Sequence, residues 1–485
     1  MAEKVCFGFE VHQPYTLNMD FEYKNSNHYK NLNELYFNSS NKELIKNISL
    51  DSYEPATEII LENLDNGFKC AFGISGIVVK QLDQWAPYAL DLFKDVAKHK
   101  NSEFLGQTYY HSLSSLYSNI NEFKDQIRLH KNMLKEEFKV RPEIFMNTDL
   151  IFNNRIASTV YKLGFKGIYA EEVPKLIDEN EVNYLHECQK IPILIRNQSL
   201  SDDIAFRLTD CKWDMYPLDV KTYAKWLSSA TGDCINLFLN YKSFNSKSLE
   251  YNTLDFISNI TDACNEIGIE CVLPSDVISN KPIKSINVYE NNSTSWCGDL
   301  KNTNAWLGND VQKAAFKAIQ RNHRWLKSKK LKNADIWRNL QVSDNFYLMG
   351  NHSNTNSFNF FKTFMKILSH YEKTCIAQAK ESNIYAGILR SRTHEEAFYF
   401  NFKNNEYFAH NLDEFEEIIR FIPDSALTSY LERGDFFNWI KNILGDEMLS
   451  TEIEKCKSPK EFKIAVRDRK FKLWKNIHTK QLHLN

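Results

Sequence analysis

The chain has almost no net charge: 60 Lys and Arg stand against 62 Asp and Glu, a formal charge of -2 over 485 residues. That balance gives no electrostatic case for nucleic acid or an anionic membrane as a partner. Long apolar runs are missing too. None approaches the ~20 residues that a membrane span needs, and no charged and apolar leader precedes the first strand, so a signal peptide is not expected. Ten cysteines occur without a Cys-x-x-Cys pair or a His at zinc spacing, which argues for reduced, mostly buried thiols and against a metal centre. Internal repeats and low-complexity tracts are absent. What remains is a soluble, cytoplasmic protein, long enough for two or three domains with a sizeable core.

The chain opens on Phe7-Gly8-Phe9-Glu10-Val11-His12-Gln13-Pro14. Alternation of Phe7, Phe9 and Val11 against Gly8, Glu10 and His12 predicts a strand with period two. Pro14 cannot donate to a sheet ladder and stops it. Glu10 and His12 then share a face, with His12 at the C-terminal end, where the loops of α/β barrels assemble active sites.

Further strand-like runs follow at Cys70–Ile74, Phe104–Gly106, Ile144–Met146, Gly167–Tyr169, Ile235–Asn240 and Glu270–Leu273, alternating with helical ones such as Phe123–Phe138. Alternation of this kind predicts a parallel sheet. Lys281–Thr294 is a polar connection, and residues from Trp306 to about Lys380 turn helical around a polar loop, Gly350–Ser357. From about residue 383 a smaller module is expected: a hairpin of Glu396–Phe402 and Glu406–His410, then a helix capped by Asn411 with Glu414 three positions on. The basic run Arg467–Lys475 reads as a solvated terminal helix.

Several segments also occur in a telling order. They are His12-Gln13-Pro14, Gly106-Gln107-Thr108-Tyr109-Tyr110-His111, Asn147-Thr148-Asp149-Leu150-Ile151, Asn240-Tyr241-Lys242-Ser243-Phe244 and Leu273-Pro274-Ser275-Asp276, followed by Ala305-Trp306-Leu307-Gly308-Asn309 and Gln341-Val342-Ser343-Asp344-Asn345. Over roughly three-quarters of the chain this series resembles glycoside hydrolase family 57, its α-amylase branch in particular. The resemblance implies an α/β fold: a seven-stranded, incomplete TIM-like (β/α)7 barrel over residues 1–280, a helical domain over 281–380 that packs over the barrel mouth, and a small α+β module over 381–485. Ser429–Ile440 resembles part of an extra C-terminal domain of some relatives. The implied partner is an α-glucan or maltooligosaccharide, with enzymes of glycogen metabolism as a further class. No cofactor or metal is implied.

The resemblance also places the chemistry, and there the chain departs from the pattern. Retaining glycosidases need two carboxyl groups about 5–5.5 Å apart, one as nucleophile and one as acid and base. The nucleophile position, a Glu in the family, is Asp149 here; the acid/base position, an Asp in the family, is Asn240. The shorter Asp withdraws its carboxylate by about 1 Å, a displacement worth on the order of 10²-fold. An amide has no proton to give at neutral pH, and general acid–base catalysis supplies about 10²–10⁴-fold. Lys242 replaces a family Glu on the same strand face as Asn240. As a cation it is expected to pair with Asp149 or Glu10 and occupy that carboxylate. The sugar-holding positions implied by the match are Glu10, His12, Gln107, Tyr109, His111, Asn147, Lys242, Trp296, Trp306 and Asp344. Aromatic faces and fixed polar groups suit a pyranose ring.

The expected function is a glucan-binding, α-amylase-like protein with impaired catalysis. The alternative is an active retaining hydrolase or 4-α-glucanotransferase that uses Asp149, with Glu10 or Glu171 standing in for the lost acid. A metal-dependent deacetylase on a similar barrel would need an Asp pair and a His-x-x-x-His motif, and the sequence has neither.

Overall fold

The structure, a computed structural model, describes residues 2–23, 31–246, 253–326, 334–350, 356–377, 384–402 and 405–482. The chain divides into two compact units. The first comprises Met1–Thr16, Asn38–Asn309 and Gln341–Gly350; the second comprises Leu17–Phe37, Asp310–Leu340 and Asn351–Asn485.

The first unit is a TIM-like α/β assembly. Its central strand, β1 (Lys4–Val11), pairs in parallel with β2 (Cys70–Ile74), which pairs with β3 (Ser102–Phe104). An isolated parallel bridge between Gly106 and Phe145 leads on to β4 (Ile144–Phe145), which pairs with β5 (Gly167–Glu171). The short β6 (His186–Cys188) turns back antiparallel into β7 (Ile191–Arg196), and β7 lies parallel to β5. On the other edge of β1 runs β8 (Ile235–Asn240), which also meets β7 at Arg196–Asn236. β9 (Glu270–Cys271) pairs with Lys4 and Val5, and β10 (Lys284–Ser285) with β6.

Central placement explains why β1 is buried on both faces after Lys4, as parallel strands usually are. Val5, Phe7, Phe9 and Val11 join an outer core with residues of the covering helices, including Ile60 and Leu64 of helix Glu54–Asp65. Cys6 belongs to a separate inner cluster with Ala71, Leu105, Ile144, Met146, Tyr169, Leu194 and Phe238. Gly8 sits where this inner layer is tightest: a Cβ there would lie 2.5 Å from the Phe238 ring. Period two therefore sorts β1 between two cores, and only beyond Gly8 does the inner side become polar, at Glu10 and then His12.

The predicted helix Phe123–Phe138 begins at Asn121 and ends in a wider turn over Leu134–Phe138. β7 has no counterpart among the predicted runs. Ile191-Pro192-Ile193-Leu194-Ile195-Arg196 is a strand despite Pro192, which lies near its start, where a missing N–H is tolerated.

In the second unit, β11 (Phe398–Phe402) and β12 (Asn405–Ala409) form the predicted hairpin, with residues 403 and 404 of the turn outside the described residues. Residues 351–355 of the expected polar loop lie outside them too. Asn411 Oδ1 accepts the Glu414 N–H at 3.0 Å to start the helix Leu412–Phe421. Glu414 answers by accepting from the Asn411 amide and the His410 N–H, 2.7 and 2.8 Å away. The basic run lies on helix Pro459–Leu482. Phe398, Phe400, Phe415, Phe436, Trp439 and Phe462 build the core of this unit.

Candidate functional site

The C-terminal ends of the strands bring most of the expected site residues together within the first unit. His12 follows β1 directly, and its ring stacks on His111 with centroids 4.0 Å apart. His111 Nε2 donates to Glu10 Oε1 at 2.7 Å, and its Nδ1 lies 3.2 Å from Ser343 Oγ. His12 Nδ1 lies 2.8 Å from Ser75 Oγ, just past β2, and its Nε2 lies 3.2 Å from Asp344 Oδ2. Two backbone hydrogen bonds hold the 341–343 segment against this floor: Leu113 N–H to Gln341 O and Ser343 N–H to His111 O. That docking delivers Asp344 to His12 from more than 330 residues away.

The electrostatics divide the two imidazoles. Burial and the neighbouring His111 push His12 down to about 4, so it is neutral. Burial also opposes charge on His111, but Glu10 and Asp149 outweigh it and hold His111 up at about 9. Asp344 is shifted down to about 2, with its burial outweighed by the bond from His12 and the surrounding cations. Its side chain remains 41% exposed, so its desolvation is only partial.

Asp149 lies on a short 3₁₀ turn, Thr148–Leu150, just after β4. Asp149 and Leu150 both have φ of 51°, and His111 has 49°. Left-handed backbone at three non-glycine positions is strain of the kind that gathers at functional sites. The Trp296 indole N–H donates to Asp149 Oδ1 at 3.1 Å, and the Trp296 backbone N–H donates to the Asp149 carbonyl at the same distance. Asp149 Oδ2 is buried with no hydrogen-bond partner. Burial raises this carboxyl to about 6, against the pull of the His111 cation.

Asn240 closes β8, and its Oδ1 accepts the Lys242 N–H at 3.1 Å, so the amide caps the following turn. Lys242 corrects an expectation. Its ammonium donates to Gln13 Oε1 at 3.3 Å and makes no ion pair with Asp149 or Glu10 among the described residues. Glu10 is already taken by His111, so the lysine settles on a neutral amide. Burial lowers its pKa, and Asp344 and Glu10 act on it only from a distance.

Other expected residues stand apart from this cluster. Trp306 is 2% exposed and offers no open ring face. Gln107 is fully buried, with neither side-chain atom hydrogen-bonded. The Asn147 amide donates to Ser115 Oγ and Ile151 O, which holds the loop that carries Asp149. Tyr109 is 9% exposed, and its ring fills the space that a Cβ on Gly76 would need. The Trp296 ring lies between Phe238, at 6.1 Å, and the Arg196 guanidinium, at 5.8 Å.

Three participants escaped the sequence reading: Ser75, Ser343 and Arg196. Ser75 and Ser343 adjoin a strand end and a named aspartate, a positional signal that was available. Arg196 donates to both oxygens of Glu171 at 3.3 Å, and Lys301 Nζ lies 3.6 Å from the same carboxylate. Arg196 and Lys301 therefore flank Glu171, but burial still pushes its carboxyl up to about 7.

Among the described residues, His12, His111 and Asp344 bring their ligand atoms within 4.8 Å of one another, close enough to hold a metal ion. All four ring nitrogens already have hydrogen-bond partners, and the rings lie face to face. As it stands, this is a hydrogen-bonded charge network. Its stacked imidazoles are buried, and only the Asp344 carboxylate and the Lys242 side chain are partly exposed.

The family model for "Glycosyl hydrolase family 57" matches residues 6–290. A protein of Methanocaldococcus jannaschii named "Putative alpha-amylase" is 37% identical over 358 residues, covering 71% of this chain and 76% of its own. Among solved structures, the chain is similar to a GH57 branching enzyme from Thermococcus kodakaraensis, with TM-score 0.60, 11% identity and coverage of 79% and 92% of the two chains. It is also similar to a 4-alpha-glucanotransferase from Thermococcus litoralis, with TM-score 0.57, 14% identity and coverage of 76% and 60%. No helix among the described residues is long and apolar enough to cross a membrane. The family match over more than half the chain and the identity to the archaeal relative agree with the fold, and the chain belongs to glycosyl hydrolase family 57.

Proposed function

We propose that the protein binds α-1,4-glucan at the C-terminal ends of a (β/α)7 barrel and turns it over poorly or not at all. In this reading it acts in the cytoplasm as an α-amylase-like binding partner in glycogen or starch metabolism. The observation that carries the reading is at Asn240. At the position that the resemblance assigns to the acid/base stands an amide, and its oxygen accepts the Lys242 N–H. The carboxylates that could replace it are committed: Glu10 to His111, Glu171 to Arg196 and Lys301, Asp344 to His12.

Binding is a different matter. Asp344 and Lys242, both partly exposed, would supply an acceptor and a donor, Trp296 an aromatic ring, and His12 holds Asp344 in place, the equipment a pyranose requires. The alternative, a retaining hydrolase or 4-α-glucanotransferase using Asp149, draws support from one observation: Asp149 keeps a carboxylate with an unpartnered buried oxygen, Oδ2. Calorimetry with maltoheptaose tests the binding claim. Wild type should bind, and His12→Ala should bind at least tenfold more weakly. An isotherm unaffected by His12→Ala would remove the barrel site from the account.

A further inference from the structure

The second unit carries a shallow, open depression of about 450 Å³, made by the hairpin strand β11 and the Ser429–Ile440 segment that the barrel chemistry leaves unused. It falls within the range of ~300–1,000 Å³ typical of small-molecule sites. It is lined by Tyr399, Tyr430, Asp435 and Ile443 over the buried Phe398 and Trp439 rings, and its rim includes the amides of Asn438 and Asn442; the Tyr430 ring is stacked on Phe436 and carries the Arg433 guanidinium at 4.7 Å.

Three of the rings are fixed by polar bonds at their edges. The Tyr399 hydroxyl donates to His394 O at 2.7 Å, and the Trp439 indole N–H donates to Glu396 O at 2.9 Å. The Tyr430 hydroxyl accepts the Asn401 N–H at 2.8 Å. Tyr399 makes one ring contact among the described residues, edge-on to His394, so a face remains unstacked. The Asn438 and Asn442 side chains are exposed, and neither makes a hydrogen bond within the chain among the described residues.

The fixed Tyr399 ring, with its unstacked face, beside free amides matches the two surfaces of a pyranose, an apolar C–H face and a rim of hydroxyls that both donate and accept. No lysine or arginine lines the cavity, which disfavours an anionic ligand. We infer that this cavity is a second carbohydrate site, which takes one or two glucosyl units of an α-glucan independently of the barrel. The choice of glucan rests on the proposed function; the sugar-binding chemistry does not.

Titration of the full chain with maltoheptaose tests it, using wild type, Tyr399→Ala, the double variant Asn438→Ala/Asn442→Ala, and His12→Ala. The two asparagines are exposed and unbonded, so their removal leaves folding intact. The expected result is two sites in wild type. One is weakened at least tenfold by Tyr399→Ala and by the double variant, and the other by His12→Ala alone. A single wild-type site that is lost in Tyr399→Ala and kept in His12→Ala would sustain this inference and refute the barrel reading. Isotherms unchanged by both cavity variants would overturn the inference and leave the barrel reading standing. Absence of binding altogether would overturn both.

Discussion

His12 and His111 lie face to face, their ring centroids 4.0 Å apart and their planes inclined by 19°, yet only His111 is an imidazolium at neutral pH. Two stacked cations would repel, and the carboxylates decide which ring is charged: Glu10 and Asp149 both face His111.

This asymmetry predicts two separated titrations by NMR, near 9 for His111 and near 4 for His12, against an ordinary value of 6.5 for each. His111, being raised, contributes stability that is complete below 6.5 and lost as pH rises through about 9. His12, being lowered, has the opposite sign, and the fold loses stability as pH falls from 6.5 through about 4. Glu10→Gln removes the strongest attraction on His111 and should bring its titration down towards 6.5 or below. An unmoved His111 would mean that Glu10 does not set its charge.

Arg196 bridges Glu171, Asp202 and the Trp296 ring from a buried position. Its replacement by Met leaves Glu171 buried with only Lys301 nearby. Removing one partner of a buried pair costs about 3–5 kcal/mol. Burial already pushes the Glu171 carboxyl up to about 7 against both cations, so the group neutralises readily. The loss measured by urea unfolding should therefore be largest above pH 8 and shrink towards pH 5, where Glu171 is protonated in the variant. A loss independent of pH would point to packing alone.

Gly8 faces the Phe238 ring with no room for a methyl group. Gly8→Ala should destabilise the protein by about 1–3 kcal/mol through overpacking. Gly67, with nothing within 4 Å of its Cβ position but a φ of +95°, supplies the contrast. There Gly67→Ala strains the backbone without a clash, so pairing with Phe238→Leu should relieve the Gly8 variant and leave the Gly67 variant unchanged.

The catalytic account predicts that chemistry can be put back. Asp149→Glu, Asn240→Asp and Lys242→Glu together restore the implied nucleophile, acid and neighbouring carboxylate. Product chromatography on maltooligosaccharides should show turnover in the triple variant that exceeds wild type by at least ~10², the lower bound for general acid–base catalysis. Each single change should recover less. A triple variant as inactive as wild type would locate the block elsewhere in the cleft.

The alternation at Phe7, Phe9 and Val11 was enough to place β1, and the order of the matched segments singled out Asp149, Asn240 and Asp344 as candidates. Contacts between distant segments were beyond the reach of local pattern. Nothing near Trp296 shows that its indole bonds the Asp149 carboxylate, 147 positions away. Lys242 illustrates the same limit. Its charge argued for a carboxylate partner, but Glu10 was already claimed by His111, and the ammonium rests on Gln13. Such competition among partners is decided by three-dimensional proximity. β7 was hidden for a local reason, since Pro192 interrupts an otherwise clear apolar run.

The most direct measurement compares maltooligosaccharide and glycogen turnover by wild type and Asp149→Ala, purified side by side, with maltoheptaose affinity measured on both. The account predicts indistinguishable, near-background turnover, with wild type still binding the sugar. Products formed by wild type and lost in Asp149→Ala would contradict it, and would make Asp149 a working nucleophile.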